Sequence, residues 1–255
     1  MSLYEDKRPL IKLSKQCWDC VDIIKDVGYA NAYAFFWADQ LKSIQQAIRK
    51  IAPDIKGDWL RFQFEGKTVT FSLSDNAISV YKPKIQEFSS FGSAVRMLGA
   101  YEDYVRKIAE LSYNIISSDM GVFKNNHKKH ISRNTNSFVK SEVGRGIDFF
   151  REVFNYNPNA SYKPDLEFLY QLRNIAVHNS GIVDQLLCDA ANNTYIKIAG
   201  GTLKVEMKLD WNLSFVLQLN HLLTEILPQV DPLVSAKLKL TQIEKRAYWY
   251  LDSST

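Results

Sequence analysis

Apolar residues recur at the spacing of an α-helix along most of the chain, and this periodicity restricts the fold more than any other feature. The clearest run covers residues 95–116, with Glu102 and Arg106 one turn apart on its polar side. Similar patterns cover residues 13–51, with Gly28 as an expected break, and residues 213–227, with Pro228 as the expected end. The sequence therefore predicts a mainly α protein.

Two stretches alternate apolar and polar residues instead, which is typical of strands. Residues 60–80 predict a small β-meander whose third strand holds Ile78 and Val80, with Pro83 at its end. Residues 195–198 and 203–209 predict a β-hairpin around two glycines. We expect a domain boundary near Ser89. Residues 1–88 would form a small α+β unit of unknown role, and residues 89–255 a helical bundle with the small hairpin.

Composition places the chain among ordinary globular proteins, with 255 residues, 46% of them hydrophobic, and a net charge of +4. Three cysteines and no apolar leader favour the cytoplasm and no membrane association. Cys17 and Cys20 have no second pair that could complete a zinc site, so we expect no metal and no cofactor. Five aromatic residues of the first helix could form a stacking platform, but their helical spacing favours packing in the core: Tyr29, Tyr33, Phe35, Phe36 and Trp37.

The string RNIAVHNSG lies at the end of an amphipathic helix predicted to begin near Pro164 and to stop at Gly181. Asn174 and His178 share one face of that helix, and the long side chain of Arg173 can reach the same end. Histidine can move a proton near neutral pH, and arginine can hold a phosphate and stabilise a charged transition state. The competing interpretation is structural, with these side chains capping neighbouring carbonyls.

This segment resembles the defining motif of the HEPN superfamily of helical domains, in which Arg and a polar residue precede a His. Arg173, Asn174 and His178 match the motif directly, and the layout of residues 89–230 is similar to that of the family. The resemblance implies a metal-independent endoribonuclease that works as a homodimer through the helix carrying the motif. It assigns Arg173 to phosphate stabilisation, Asn174 to orientation and His178 to proton transfer.

The resemblance further implies RNA cleavage by attack of the 2′-hydroxyl, in a toxin or phage-defence setting, with an antitoxin or another regulatory protein as a further partner. Members that are modified by a partner enzyme carry a Tyr where this chain has Ser180. Two alternatives stay open. The chain is a non-catalytic dimerisation or RNA- and nucleotide-binding module, or a regulatory protein whose residues 1–88 bind a partner.

A basic stretch within residues 121–137 is the predicted RNA-binding segment. It contains Lys124, Lys128, Lys129 and Arg133, which could follow an RNA backbone by sequence-independent electrostatics. The alternative is an exposed, solvated loop. His127 and His130 in the same stretch lack the nearby Cys or carboxylate that a tetrahedral metal site would need.

Overall fold

A computed structural model describes residues 8–51, 59–64, 66–118, 136, 138–140, 146–179, 181–196, 202–209 and 212–247. Within these residues the protein is mainly α, as the periodicity predicts. The elements follow in the order β1 (Leu10–Ser14), α1 (Lys15–Ile51), β2 (Trp59–Phe64), β3 (Lys67–Ser72), α2 (Asp75–Ser118), α3 (Ile147–Phe154), α4 (Tyr162–His178), α5 (Gln185–Asn193), α6 (Leu213–Leu238) and β4 (Gln242–Arg246).

The long helices α1, α2 and α6 share the main hydrophobic core, and α3 and α4 complete it. α1 and α2 run antiparallel. Gln45 near the end of α1 donates a hydrogen bond of 2.6 Å to the Leu73 carbonyl just before α2, whereas Gly28 lies close to Met97 farther along α2. Ser89, the predicted domain boundary, lies inside α2. The division into two units stays a prediction.

Gly28 does not break α1, so that prediction is wrong. A Cβ at this position would lie 3.2 Å from Nδ2 of Asn220 in α6 and 3.8 Å from Cε of Met97. Glycine here permits a close approach between helices rather than a turn, since removing Cβ lets two backbones come nearer.

The aromatic side chains in the middle of α1 are not in the core, which corrects a second prediction. Asn31 and Ala38 are buried, whereas four of these aromatic side chains are more than half exposed and Phe35 is half-buried. The exposed four are Tyr29, Tyr33, Phe36 and Trp37. Residues on one helix face recur every three or four positions, so burying positions 31 and 38 turns Tyr29, Tyr33 and Trp37 towards the opposite, outer side.

A two-stranded antiparallel sheet that the sequence analysis missed joins the two ends of the described chain. β1 pairs with β4, with Leu10 opposite Arg246 and Ser14 opposite Gln242. The Trp18 indole adds a hydrogen bond of 2.8 Å to the Ile243 carbonyl. Every residue of β4 is exposed. The strand therefore lacks the alternation of buried and exposed residues by which strands are recognised.

Beneath this sheet, the buried carboxyl group of Asp231 in α6 connects three elements. Its oxygens accept hydrogen bonds from the Ser14 backbone N–H (2.6 Å), the Ser14 hydroxyl (2.6 Å), the Tyr104 hydroxyl (3.0 Å) and the Ser235 hydroxyl (3.3 Å). The Ser14 hydroxyl also accepts from the Cys17 backbone N–H (3.2 Å), so Ser14 caps the first turn of α1. One carboxyl group thus fixes the start of α1 against α2 and α6.

The predicted β-meander is half right. β2 and β3 form the expected hairpin, but the third strand is wrong, because Ile78 lies in the first turns of α2. Ser74 begins this helix by accepting a hydrogen bond of 3.2 Å from the Ala77 backbone N–H. Pro83 lies inside the helix on an exposed face, where water can solvate the Ser79 carbonyl that proline leaves without a helical partner.

The region around α5 and α6 also differs from the prediction. Helix α5 was not predicted. Residues 203–209, predicted as the second strand of a hairpin, form no strand and contain one bridge from Lys208 to Ile182. The predicted turn and part of the first strand fall in 197–201, outside the described residues. α6 continues through Pro228 and Pro232 because its buried apolar face, which includes Val230, carries on beyond both prolines. Packing of that face outweighs the helix-breaking tendency of proline.

Candidate functional site

The helix that carries the motif, α4, starts and ends close to where its sequence predicts. It begins at Tyr162, two residues before Pro164. Asp165 lies in its first turn, and its carboxyl group accepts hydrogen bonds of 2.7 Å from the Thr194 hydroxyl and the Tyr195 backbone N–H. A carboxylate also suits the positive end of the helix dipole. These contacts attach the start of α4 to the chain that follows α5.

The end of α4 is fixed by backbone hydrogen bonds. The N–H groups of Asn179 (2.9 Å) and Gly181 (3.0 Å) both donate to the Ile175 carbonyl, and Gly181 has a φ of 78°. That left-handed conformation favours glycine and closes many helices. The Gly181 carbonyl then accepts from the Leu209 N–H at 2.8 Å. The predicted stop at Gly181 is therefore confirmed.

Arg173 and Asn174 lie half-buried on the side of α4 that faces α2. An Arg173 guanidinium nitrogen lies 3.7 Å from a carboxylate oxygen of Glu102, and another donates to the Asn174 side-chain oxygen at 3.4 Å. The Arg173 Nε is buried and has no hydrogen-bond partner among the described residues. The guanidinium is thus held at one edge, with part of its donor capacity unused.

His178 is the last residue of α4, and its side chain is exposed, as is that of Val177. Helix geometry places His178 one turn beyond Asn174 and roughly 140° around the axis from Arg173. The structure therefore brings Arg173 and Asn174 into contact. It leaves the imidazole at the helix end, accessible from outside the chain.

A cavity of about 350 Å³ opens next to Arg173 and Asn174. Tyr101 and Glu102 of α2, Gly146 and Ile147 at the start of α3, and further residues of α4 line it. The Tyr101 hydroxyl is fully buried in its wall and has no hydrogen-bond partner among the described residues. Clefts that hold small ligands start at roughly this size, at about 300 Å³.

Two tyrosines of this cavity are held in their neutral form. Burial raises the pKa of Tyr170 well above its ordinary value, and Tyr101 and Glu102 raise it further while Arg173 opposes them. Burial likewise raises the pKa of Tyr101, with smaller contributions from Cys20 and Tyr156. A neutral phenol both donates and accepts hydrogen bonds, so each hydroxyl can meet either kind of ligand atom.

The charges around the cavity are largely paired. Lys163 Nζ lies 2.7 Å from a carboxylate oxygen of Asp148 and 3.8 Å from one of Glu167, and Arg173 faces Glu102. Two cationic and two anionic side chains therefore line the cavity itself, since Asp148 lies outside its lining. Their balance gives the cavity no strong preference for an anion or a cation.

Glu102 is the functional candidate that the sequence analysis assigned differently. It was paired with Arg106 along the helix, but it faces Arg173, and Arg106 lies 3.9 Å from Asp103 instead. The sequence carries no local signal for the Glu102–Arg173 pair, because the two residues lie on different helices. Tyr101 and Tyr170 were missed for the same reason.

The predicted RNA-binding residues lie outside the described part of the chain, and the expectations about metal and membrane can be compared only with the described part. Lys124, Lys128, Lys129 and Arg133 fall within 119–135, which the structure does not describe. In the described ranges, no three His, Cys, Asp or Glu side chains form a group that could hold a metal ion. In those same ranges, no helix combines the length and the apolar character needed to cross a bilayer.

Comparisons of the chain with models of protein families, with curated protein sequences and with solved structures gave no match. The similarity to the HEPN motif therefore depends on Arg173, Asn174, His178 and their neighbours in the sequence.

Proposed function

We propose that this protein is a HEPN-type, metal-independent endoribonuclease. The observation that carries the proposal is the placement of the motif at one end of α4. Glu102 holds Arg173 beside an open cavity, while His178 is exposed at the helix terminus. A guanidinium and an imidazole are the groups that phosphodiester cleavage needs, and a second copy of the chain would bring both to one phosphate.

In the proposed reaction the RNA 2′-hydroxyl gives its proton to a histidine and its oxygen attacks the adjacent phosphorus. The bond from phosphorus to the 5′-oxygen breaks, and that oxygen takes a proton from a second histidine. The products are a 2′,3′-cyclic phosphate and a free 5′-hydroxyl. Arg173 would stabilise the extra negative charge on phosphorus-bound oxygens, with Asn174 orienting the guanidinium. DNA lacks the attacking hydroxyl and would not be cleaved.

Among the described residues, one chain supplies one histidine at this helix end, whereas the reaction needs a base and an acid. A homodimer formed through α4 would bring two His178 and two Arg173 side chains into one cleft. The exposure of Val177 and His178 supports this arrangement, because an apolar side chain next to the imidazole is then available to a second copy. The net charge of +4 and the basic residues at 124–133 are compatible with an RNA partner.

The test is incubation of the purified full chain with single-stranded RNA in EDTA. We expect cleavage by the natural protein, at least a 100-fold lower rate for His178→Ala (removal of a general acid–base group costs about 10²–10⁴-fold), and no cleavage of the matching DNA. His221→Ala is the matched control, because His221 is another exposed histidine, paired with Glu225 on α6. Equal rates for His178→Ala and the natural protein, or loss of cleavage in EDTA, would contradict the mechanism.

A mixing experiment tests the shared site. A mixed dimer of the natural chain and His178→Ala keeps only one histidine, so it lacks either the base or the acid. Excess His178→Ala mixed with a fixed amount of natural protein should therefore lower the cleavage rate, because mixed dimers replace natural ones. An unchanged rate, when co-purification through a tag on one chain shows mixed dimers, contradicts the composite site.

The second candidate is a non-catalytic dimerisation or RNA-binding module. The contact of Arg173 with Glu102 favours it, because an arginine engaged in an ion pair can have a purely structural role. RNA binding by the natural protein without any cleavage product, together with binding by His178→Ala of equal strength, would support this candidate over the ribonuclease.

A further inference from the structure

The hydroxyl group of Tyr101 lies in the protein interior, where polar groups normally have a hydrogen-bond partner, but it has none among the described residues. The side chain is fully buried, and no described residue forms a hydrogen bond with this oxygen. Burying a hydroxyl without a hydrogen bond is unfavourable, and most buried polar groups in proteins are paired. The Arg173 Nε in the same cavity wall is in the same situation. Two unused polar groups around one cavity indicate a ligand that supplies their partners.

The nature of the lining restricts what that ligand can be. The cationic Lys163 and Arg173 are balanced by Glu102 and Glu167, so a strongly charged ligand gains little. The remaining polar groups are the two phenols and the side-chain amides of Gln171 and Asn174, which together offer both donors and acceptors. The ring of Tyr170 and the side chains of Leu166 and Ile147 add apolar surface. A neutral, flat group with donors and acceptors along its edge fits this set.

We propose that this cavity binds one unpaired nucleobase. The base would lie against Tyr170 and present its edge to Tyr101 and to the side-chain amides of Gln171 and Asn174. Proteins recognise single-stranded RNA in this way, by stacking a splayed base on an aromatic ring and bonding its edge. The proposal rests on the proposed ribonuclease in one respect, because the cavity shares Arg173 and Asn174 with the cleavage site. A base held there would place its own phosphate near Arg173 and give cleavage a sequence preference.

Gly146 bears on the fit at the Tyr101 end of the cavity. It has a φ of 50°, and a Cβ built on it would lie 3.9 Å from the Tyr101 hydroxyl oxygen. Because Gly146 has no side chain, there is space for a carbon atom at ordinary contact distance from this hydroxyl. The hydroxyl itself is covered in the free protein, so a base edge would have to take up this room to reach it.

Calorimetric titration of the full-length protein with adenosine, guanosine, cytidine and uridine tests the proposal without requiring catalysis. We expect saturable binding with a preference for one base, and about 3- to 10-fold weaker binding of that base by Tyr101→Phe, the effect of one neutral hydrogen bond. Tyr81→Phe is the matched control, because Tyr81 is an exposed tyrosine on the same helix and should leave binding unchanged. No saturable binding of any nucleoside, or equal binding by Tyr101→Phe, overturns the proposal.

A second arm separates a base within RNA from a free nucleotide. Oligoribonucleotides containing the preferred base once should compete with the nucleoside if the base comes from an RNA strand. If only the free nucleoside binds, the cavity still holds a base but its source is a small molecule. His178→Ala keeps the cavity, so its binding should equal that of the natural protein. Cleavage without base preference, unaffected by Tyr101→Phe, would overturn the base cavity while the ribonuclease stands.

Discussion

Asp231 is the residue whose replacement should affect the fold most clearly. Asp231→Ala removes the acceptor of four hydrogen bonds within one buried cluster. The hydroxyl groups of Ser14, Tyr104 and Ser235 can turn towards other acceptors, but the Ser14 backbone N–H cannot. An unpaired buried N–H alone costs about 1–3 kcal/mol. Loss of the other bonds and the void left by the carboxyl group bring the expected fall in the free energy of unfolding to about 3–5 kcal/mol.

The same geometry predicts a smaller effect for Asp231→Asn. Asparagine can place its oxygen opposite the Ser14 N–H and its NH₂ group opposite the hydroxyls of Ser14 and Tyr104, which can turn and accept. We expect a loss of about 1–2 kcal/mol, the size of one or two net hydrogen bonds. Tyr104→Phe removes one bond to the carboxyl group and should also lose about 1–2 kcal/mol.

Tyr101→Phe is the control for this series, since Tyr101 is equally buried on the same helix but its hydroxyl has no partner among the described residues. Its free energy of unfolding should not fall, and should rise by up to about 1–3 kcal/mol, because the substitution removes a buried hydroxyl that has no hydrogen bond to lose. Urea denaturation followed by circular dichroism gives all four values. The reasoning is refuted if Asp231→Ala loses less than 1 kcal/mol, about one net hydrogen bond, or if Tyr101→Phe loses as much as Tyr104→Phe.

Three further predictions follow from the packing of the core. Burial raises the pKa of the Cys17 and Cys20 thiols, so the folded state holds these protons while the unfolded chain releases them above its ordinary cysteine pKa. The free energy of unfolding should therefore fall as pH rises past about 8.5, by up to about 1.4 kcal/mol per pH unit and thiol. In a thiol-labelling assay on the native protein at pH 8, only the half-buried Cys188 should react, and rapid labelling of all three cysteines would contradict this. Gly28→Ala should raise the free energy of unfolding by about 0.5–1 kcal/mol, since alanine favours a helix and the flexible Asn220 amide can move the few tenths of an ångström required. If urea denaturation instead gives a lower free energy of unfolding for Gly28→Ala, the Asn220 amide is fixed in place.

The parts of the fold that local sequence signals specify were predictable. Pro164 near the start of α4 and Gly181 after its end are such signals: the helix begins two residues before Pro164 and ends three residues before Gly181. The helical spacing of apolar residues in the second half of α2 is another. In these cases the residues that determine the element lie within it or directly beside it.

The parts of the fold that were predicted wrongly depend on contacts between residues far apart in the sequence. Ile78 lies in a stretch that alternates like a strand, yet the packing of α2 on α1 makes it helical. In the candidate site, Arg173 and His178 could be found from their spacing. Glu102 and Tyr101 could not be found in this way, because only the packing of α4 against α2 brings them next to Arg173.

The pairing of β1 with β4 has a consequence for how the chain acquires its structure during synthesis. Residues 10–14 leave the ribosome early but must wait for residues 242–246 before they have a partner. The cap at the start of α1 likewise depends on Asp231. Contacts across so long a stretch of chain form late and slow folding. A ribosome-bound chain that stops before Asp231 should therefore expose Trp18 and the start of α1, and should be cut there by proteases that spare the finished protein.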